Sequence, residues 1–193
     1  MKKFLASMLA ASFLLTGCFG SDDSAVVSSG EVLPGQILYE NSSFSIVAPE
    51  SWDILERDDF TSNIPDQALV GFRNNIKSEV FTANLAITQK LLDSDISSTD
   101  FTKSMINKAE TSLVGFTKLS EKSYKIPSGE NPIETSLTTF EGKKGPSEPI
   151  VRFQQINVIK NRVAFTITAA YVPNEDENIV KTLEEMLNSF SLN

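Results

Sequence analysis

With no histidine among its 193 residues, the chain has neither Ser-His-Asp nor Cys-His catalysis open to it, and no His-liganded metal site. Chemistry is left to carboxylates, hydroxyls and the single cysteine, Cys18. That one cysteine also excludes an internal disulfide and a thiolate zinc cluster. Asp93-Ser94-Asp95-Ile96-Ser97 opens like a calcium loop, with oxygen-bearing side chains at alternate positions. The glycine such a loop needs is Ser98 here, and its closing glutamate is Ser104. Acidic residues ahead of a helix N-terminus account for the segment without a cation. Glu56, Asp58 and Asp59, or Glu175 with Glu177, could pair carboxylates for acid–base work. Both groups fall at element ends, where solvated charge is the simpler assignment. Lys103 and Ser104 are adjacent on a helix and point to different sides, so they form no seryl-lysine pair. Glycine patterns for nucleophile elbows, phosphate loops and dinucleotides are absent. The expectation is a protein with no catalytic residue, cofactor or metal, and not an enzyme.

Composition narrows the partners. Hydrophobic residues make up 40% and charged residues 22%, values of an ordinary globular chain. Lys+Arg is 17 against 25 Asp+Glu, a formal charge of −8. No basic stripe relieves that balance, which argues against nucleic acid.

The N-terminus carries the most information. Lys2 and Lys3 precede an uncharged apolar run, Phe4–Leu15. The run fits a signal h-region and is shorter than the ~20 residues of a spanning helix. It leads into Leu15-Thr16-Gly17-Cys18, which resembles the lipobox of bacterial lipoproteins. The resemblance implies that residues 1–17 are a cleaved signal peptide. It also implies that the Cys18 thiol takes a diacylglyceryl group and that the new N-terminus is acylated, as with palmitate. Several acyl chains anchor stably where one alone is marginal. Loss of Lys2 and Lys3 leaves 15 basic against 25 acidic residues, a charge of −10 that anionic lipid repels. Membrane attachment is therefore expected through the lipid. Residues 18–36, rich in Ser, Gly and Asp, read as a flexible tether; Asp22-Asp23 within it reads as solvated charge. Enterobacterial lipoproteins kept at the inner membrane carry Asp after the lipidated cysteine. Phe19 stands there, which favours the outer membrane in a cell that has one.

Residues 37–193 read as a single α+β domain. Phe44, Ile46 and Ala48 alternate as in a half-buried strand, and Pro49-Glu50-Ser51-Trp52 turns into a second strand over 52–56. Further strands are expected at 68–73 and 82–88. A helix then carries Phe101, Met105, Ala109 and Leu113 on one face, capped by Ser97, Ser98 or Thr99 and closed by Gly115. Strands follow at 117–126, 133–140, 150–159 and 162–172. The short Ile159–Arg162 link forces an antiparallel hairpin. Val163, Phe165, Ile167, Ala169 and Tyr171 make an alternating face. A terminal helix begins after Pro173, with an Asn174/Glu177 capping box and a stripe of Ile179, Leu183, Met186, Leu187 and Phe190. Hairpin-length links and a majority of strands point to an antiparallel sheet flanked by helices. Glu141–Pro149 reads as a locally basic hairpin connection, and Trp52, Phe44, Phe165 and Tyr171 as core.

Phe44-Ser45-Ile46 with Pro49-Glu50-Ser51-Trp52, the mid-chain helix, two late long strands and a terminal helix ending Asn188-Ser189-Phe190 resemble the PsbP-like α/β/α sandwich superfamily. That superfamily includes a photosystem II extrinsic subunit, a Ran-binding nuclear factor and bacterial lipoproteins such as DcrB. The glycine usual before the tryptophan is Ser51. The resemblance implies a non-catalytic accessory or binding role, and no functional residue carries across. The sequence thus points to an envelope lipoprotein, anchored through Cys18, that acts as an accessory or interaction module for envelope proteins. The alternative is a small-ligand binder with an apolar pocket between sheet and helix.

Overall fold

The computed structural model describes residues 32–60 and 67–193. The expected signal peptide, Cys18, Asp22-Asp23 and most of the tether lie outside the described residues.

Strands β1 (Gln36–Glu40) and β2 (Phe44–Pro49) form an antiparallel hairpin. β2 sits deep because Phe44, Ile46 and Ala48 alternate into the core. The Pro49–Trp52 turn, closed by the Trp52 N–H on the Pro49 carbonyl at 3.1 Å, hands the chain to β3 (Asp53–Glu56). Then come β4 (Ala68–Arg73), β5 (Asn84–Leu91) and helix α1 (Ser98–Ser112). Four long strands follow: β6 (Val114–Ile126), β7 (Ile133–Lys143), β8 (Val151–Lys160) and β9 (Val163–Tyr171). Helix α2 (Glu177–Ser189) and the two-residue β10 (Ser191–Leu192) end the chain.

Seven strands make one antiparallel sheet in the order β3-β4-β5-β9-β8-β7-β6. β5 lies inside this sheet and β6 at its edge, so the link between them must cross β9, β8 and β7. α1 is that link. The opposite face is covered by α2 and by a second sheet, β1-β2-β10. The fold is α+β, an antiparallel sheet with a helix on each face, as the sequence led us to expect. The small second sheet was not expected.

Local details agree with the sequence at some points and differ at others. The β8–β9 turn needs positive φ at both central residues, and Asn161 (53°) and Arg162 (64°) supply it. Arg162 is held in this unusual conformation by its guanidinium, which donates to the Leu92 carbonyl at 2.8 Å. Ser97 caps α1 as expected, its Oγ accepting the Asp100 N–H at 3.0 Å. Gly115 is left-handed (φ 67°) but does not close α1; it lies in the bulged start of β6. The helix stops earlier because Leu113 turns extended and docks on Gly142, where a Cβ would fall 2.8 Å from the Leu113 Cβ. The Asn174/Glu177 box is likewise replaced. A turn closed by the Glu175 N–H on the Val172 carbonyl uses those residues first. Asp176 then caps α2, accepting the Asn178 N–H at 2.8 Å. β7 runs on to Lys143, so the connection read at Glu141–Pro149 shrinks to 144–150 and Glu141 pairs with Arg152 across the strands.

Candidate functional site

Phe44, Trp52, Phe165 and Tyr171 all belong to the main core, with Ile46, Phe72, Leu85, Ile167, Leu183, Leu187 and Phe190. None of the four aromatics lines the cleft that the described residues form. That cleft lies further out, where the long strands run past the flank of α2.

It is a cleft of about 550 Å³. Alternation along β6 puts Ser120, Lys122 and Tyr124 on the α2 side of the sheet, and the register sets them against Thr139, Leu137 and Thr135 of β7. Thr139 in turn faces Gln154 of β8. Glu184, Leu187 and Asn188 of α2 form the wall. Tyr124 stitches floor to wall: its hydroxyl lies 2.8 Å from Asn188 Oδ1 and 3.3 Å from the Leu187 carbonyl. Burial pushes the Tyr124 pKa up to about 12, so the phenol stays protonated and keeps donating. Gln154 is 8% exposed. Its Nε2 donates to Glu184 Oε1 at 3.2 Å, while its Oε1 is buried with no partner. A buried amide oxygen left idle costs free energy unless something donates to it. The lining is mixed: Leu137 and Leu187 contribute apolar surface beside Ser120, Lys122, Thr139, Gln154, Glu184 and Asn188. The cleft lies between sheet and helix, where the alternative reading set its pocket, with polar groups added to the apolar lining.

The carboxylate groups singled out in the sequence stay apart from this cleft. The Asp59 carboxylate accepts the Glu56 N–H, and Glu56 accepts the Tyr39 hydroxyl at 3.3 Å. Asp93 and Asp95 are exposed ahead of α1. Ser98, at the would-be glycine position of the calcium pattern, is buried, and its Oγ accepts the Ile159 N–H at 2.9 Å. Lys103 pairs with Asp100, and Ser104 is exposed. Among the described residues no helix is long and apolar enough to cross a membrane. Sequence reasoning missed the cleft. Its one local signal is the Ser120/Lys122/Tyr124 alternation, and the partners of that trio come from strands and a helix that only the sheet order brings together.

The architecture is similar to that of solved structures, a PsbP among them. Cyanobacterial PsbP (CyanoP) from Synechocystis sp. PCC 6803 matches with a TM-score of 0.57 at 12% identity, over 85% of this chain and 96% of its own. A Pseudomonas aeruginosa protein of unknown function, PA94, matches with a TM-score of 0.53 at 14% identity, over 80% and 94%. LpqN of Mycobacterium tuberculosis, involved in cell envelope biogenesis, gives 0.49 at 10% identity, over 81% and 88%. No protein-family model matches the chain, and no curated protein does. At such identities the likeness carries the fold and assigns no residue.

Proposed function

We propose that this protein is a lipid-anchored, non-catalytic accessory protein of the cell envelope that binds its partner in the cleft beside α2. The observation that carries the binding role is the cleft lined by Gln154, whose buried Oε1 has no hydrogen-bond partner among the described residues, and by Lys122, which has no ion pair among them. A ligand with an N–H for the amide and an acceptor or anion for the lysine completes the site. Protein chains offer both. The Leu15–Cys18 motif supports the anchor, and Phe19 supports the outer membrane in a two-membrane cell. The absence of histidine supports a role without acid–base chemistry. A photo-crosslinking side chain at Lys122 tests the reading in intact envelopes, with Leu38 on β1 as the control position. Position 122 is expected to give protein adducts that Gln154→Leu diminishes. Yields no higher than those at position 38 would overturn it.

One observation favours a small ligand instead. A volume of about 550 Å³ lies within the ~300–1,000 Å³ of small-molecule sites. Native mass spectrometry of protein purified from its own cells distinguishes the two, because a bound small molecule adds a discrete mass.

A further inference from the structure

Ten large aliphatic side chains among the described residues are exposed, and they are unevenly spread. The register of the seven-stranded sheet sorts the connections into two ends. One end carries the Pro49–Trp52 turn, the β4–β5 loop, the β7–β8 loop and the start of β6. The other carries the segment into α1, the β6–β7 link and the Asn161-Arg162 turn. Val32, Leu33, Ile76, Val80, Val114 and Ile150 all lie at the first end. Only Leu91 and Ile96 lie at the second.

The most exposed pair at the first end sits on a braced loop. Ile76 is 69% and Val80 64% exposed. The loop is closed by the Asn74 N–H on the Ala83 carbonyl at 3.0 Å. The buried Asn74 accepts the Ile76 N–H at 3.1 Å through Oδ1, and Ser78 Oγ accepts the Val80 N–H at 3.2 Å. The backbone polar groups are thus turned inward and the two aliphatics outward. Lys77 lies between Ile76 and Val80 on the β4–β5 loop and Lys144 on the β7–β8 loop, with Glu79 and Glu148 exposed on the same two loops; the lysine stems can lie along a lipid surface with the charge in water.

The chain from Cys18 enters the domain at this same end. Gln36 pairs with Pro49, and the Glu50 N–H donates to the Gly35 carbonyl at 2.9 Å. Fourteen positions separate Cys18 from Val32, at most about 50 Å of chain. We infer that this end is a membrane-facing surface, and that Ile76, Val80 and Ile150 enter the headgroup region of the bilayer that holds the Cys18 lipid. This rests on the anchoring proposed above. Tethering supplies the high local concentration that makes so small an apolar patch effective. The charge of −10 left after signal removal makes a zwitterionic surface the better host.

The test uses full-length acylated protein in phosphatidylcholine vesicles. With the Cys18 sulfur in a thioether, Ile76→Cys supplies the sole free thiol for an environment-sensitive fluorophore, and Leu91→Cys places the same probe at the far end. The probe at position 76 is expected to brighten about twofold or more on membranes and to be quenched by lipid-borne nitroxide. The probe at position 91 is expected to do neither. Mass spectrometry showing no acyl chain on Cys18 would overturn the anchoring and this inference together. Acylated protein in which the two probes behave alike would overturn this inference alone.

Discussion

Beneath α2 the central strands present Ile156 and Val158 of β8 with Phe165 and Ile167 of β9, each at most 3% exposed. Beneath α1 the same two strands present Gln155, Asn157, Ala164 and Thr166. The two faces of one sheet are dry by different means. On the α2 side, Leu183, Met186, Leu187 and Phe190 interlock with Phe44, Ile46 and Phe72 of the other layers. On the α1 side, the apolar contact is a small cluster of Leu92, Phe101 and Ala164 with Met105 and Ile159 against it. The rest is hydrogen bonding. Thr166 Oγ1 donates to Asn157 Oδ1 at 2.9 Å, Asn157 Nδ2 to Gln155 Oε1 at 3.2 Å, and Gln155 Nε2 to Thr168 Oγ1 at 3.0 Å. Thr102 of α1 reaches down to the Asn157 carbonyl. Hydrocarbon burial gains with every methylene removed from water, whereas a buried polar network gains little net and loses heavily when broken. The α2 face should therefore hold most of the stability, and the α1 face should fix how a long crossover helix sits.

Truncation separates the two faces most sharply. Leu183→Ala is expected to destabilise the fold by about 2–5 kcal/mol, while Met105→Ala, half-buried on α1, should cost about 1 kcal/mol. Chemical denaturation of both variants checks this, and equal losses would break the comparison. Asn157→Ala should cost about 1–3 kcal/mol by stranding Gln155 and Thr166 without their partner. A loss near zero would mean that the network is not a unit. The same face holds a converse case. The Thr138 hydroxyl is fully buried with no partner among the described residues, so Thr138→Val removes an unsatisfied group at constant shape. That variant should match the parent or gain up to about 1 kcal/mol. The smallest effect is one of pH. Burial raises Tyr124 to about 12 in the fold, against about 10 in an unfolded chain. Its contribution is complete below pH ~10 and is lost as pH climbs toward the folded value. Melting temperatures followed from pH 9 to 11 should fall less steeply in Tyr124→Phe than in the parent.

Why some of this could be read in the sequence follows from the same contrast. The α2 stripe and the Val163–Tyr171 alternation are apolar at helical and strand spacing, so the hydrocarbon face announces itself. Thr166, Thr168 and Asn157 look like solvent-facing positions of amphipathic strands. They are covered only because α1 has to cross from β5 to the far edge, a consequence of strand order that no local pattern carries. The second sheet escaped notice for a related reason. Ile37 and Tyr39 of β1 alternate too briefly to stand out, and β10 has two residues. The cleft was hidden in the same way, since Gln154 and Glu184 stand 30 positions apart and meet Lys122 only through the β6-β7-β8 order.

The claim on which the functional account rests is the lipid at Cys18, and intact-mass and N-terminal peptide mass spectrometry of protein extracted from its own membranes addresses it directly. The account expects a chain beginning at Cys18, carrying diacylglyceryl on sulfur, and recovered with the envelope. A mature chain that begins beyond residue 18 and bears no acyl group would contradict it.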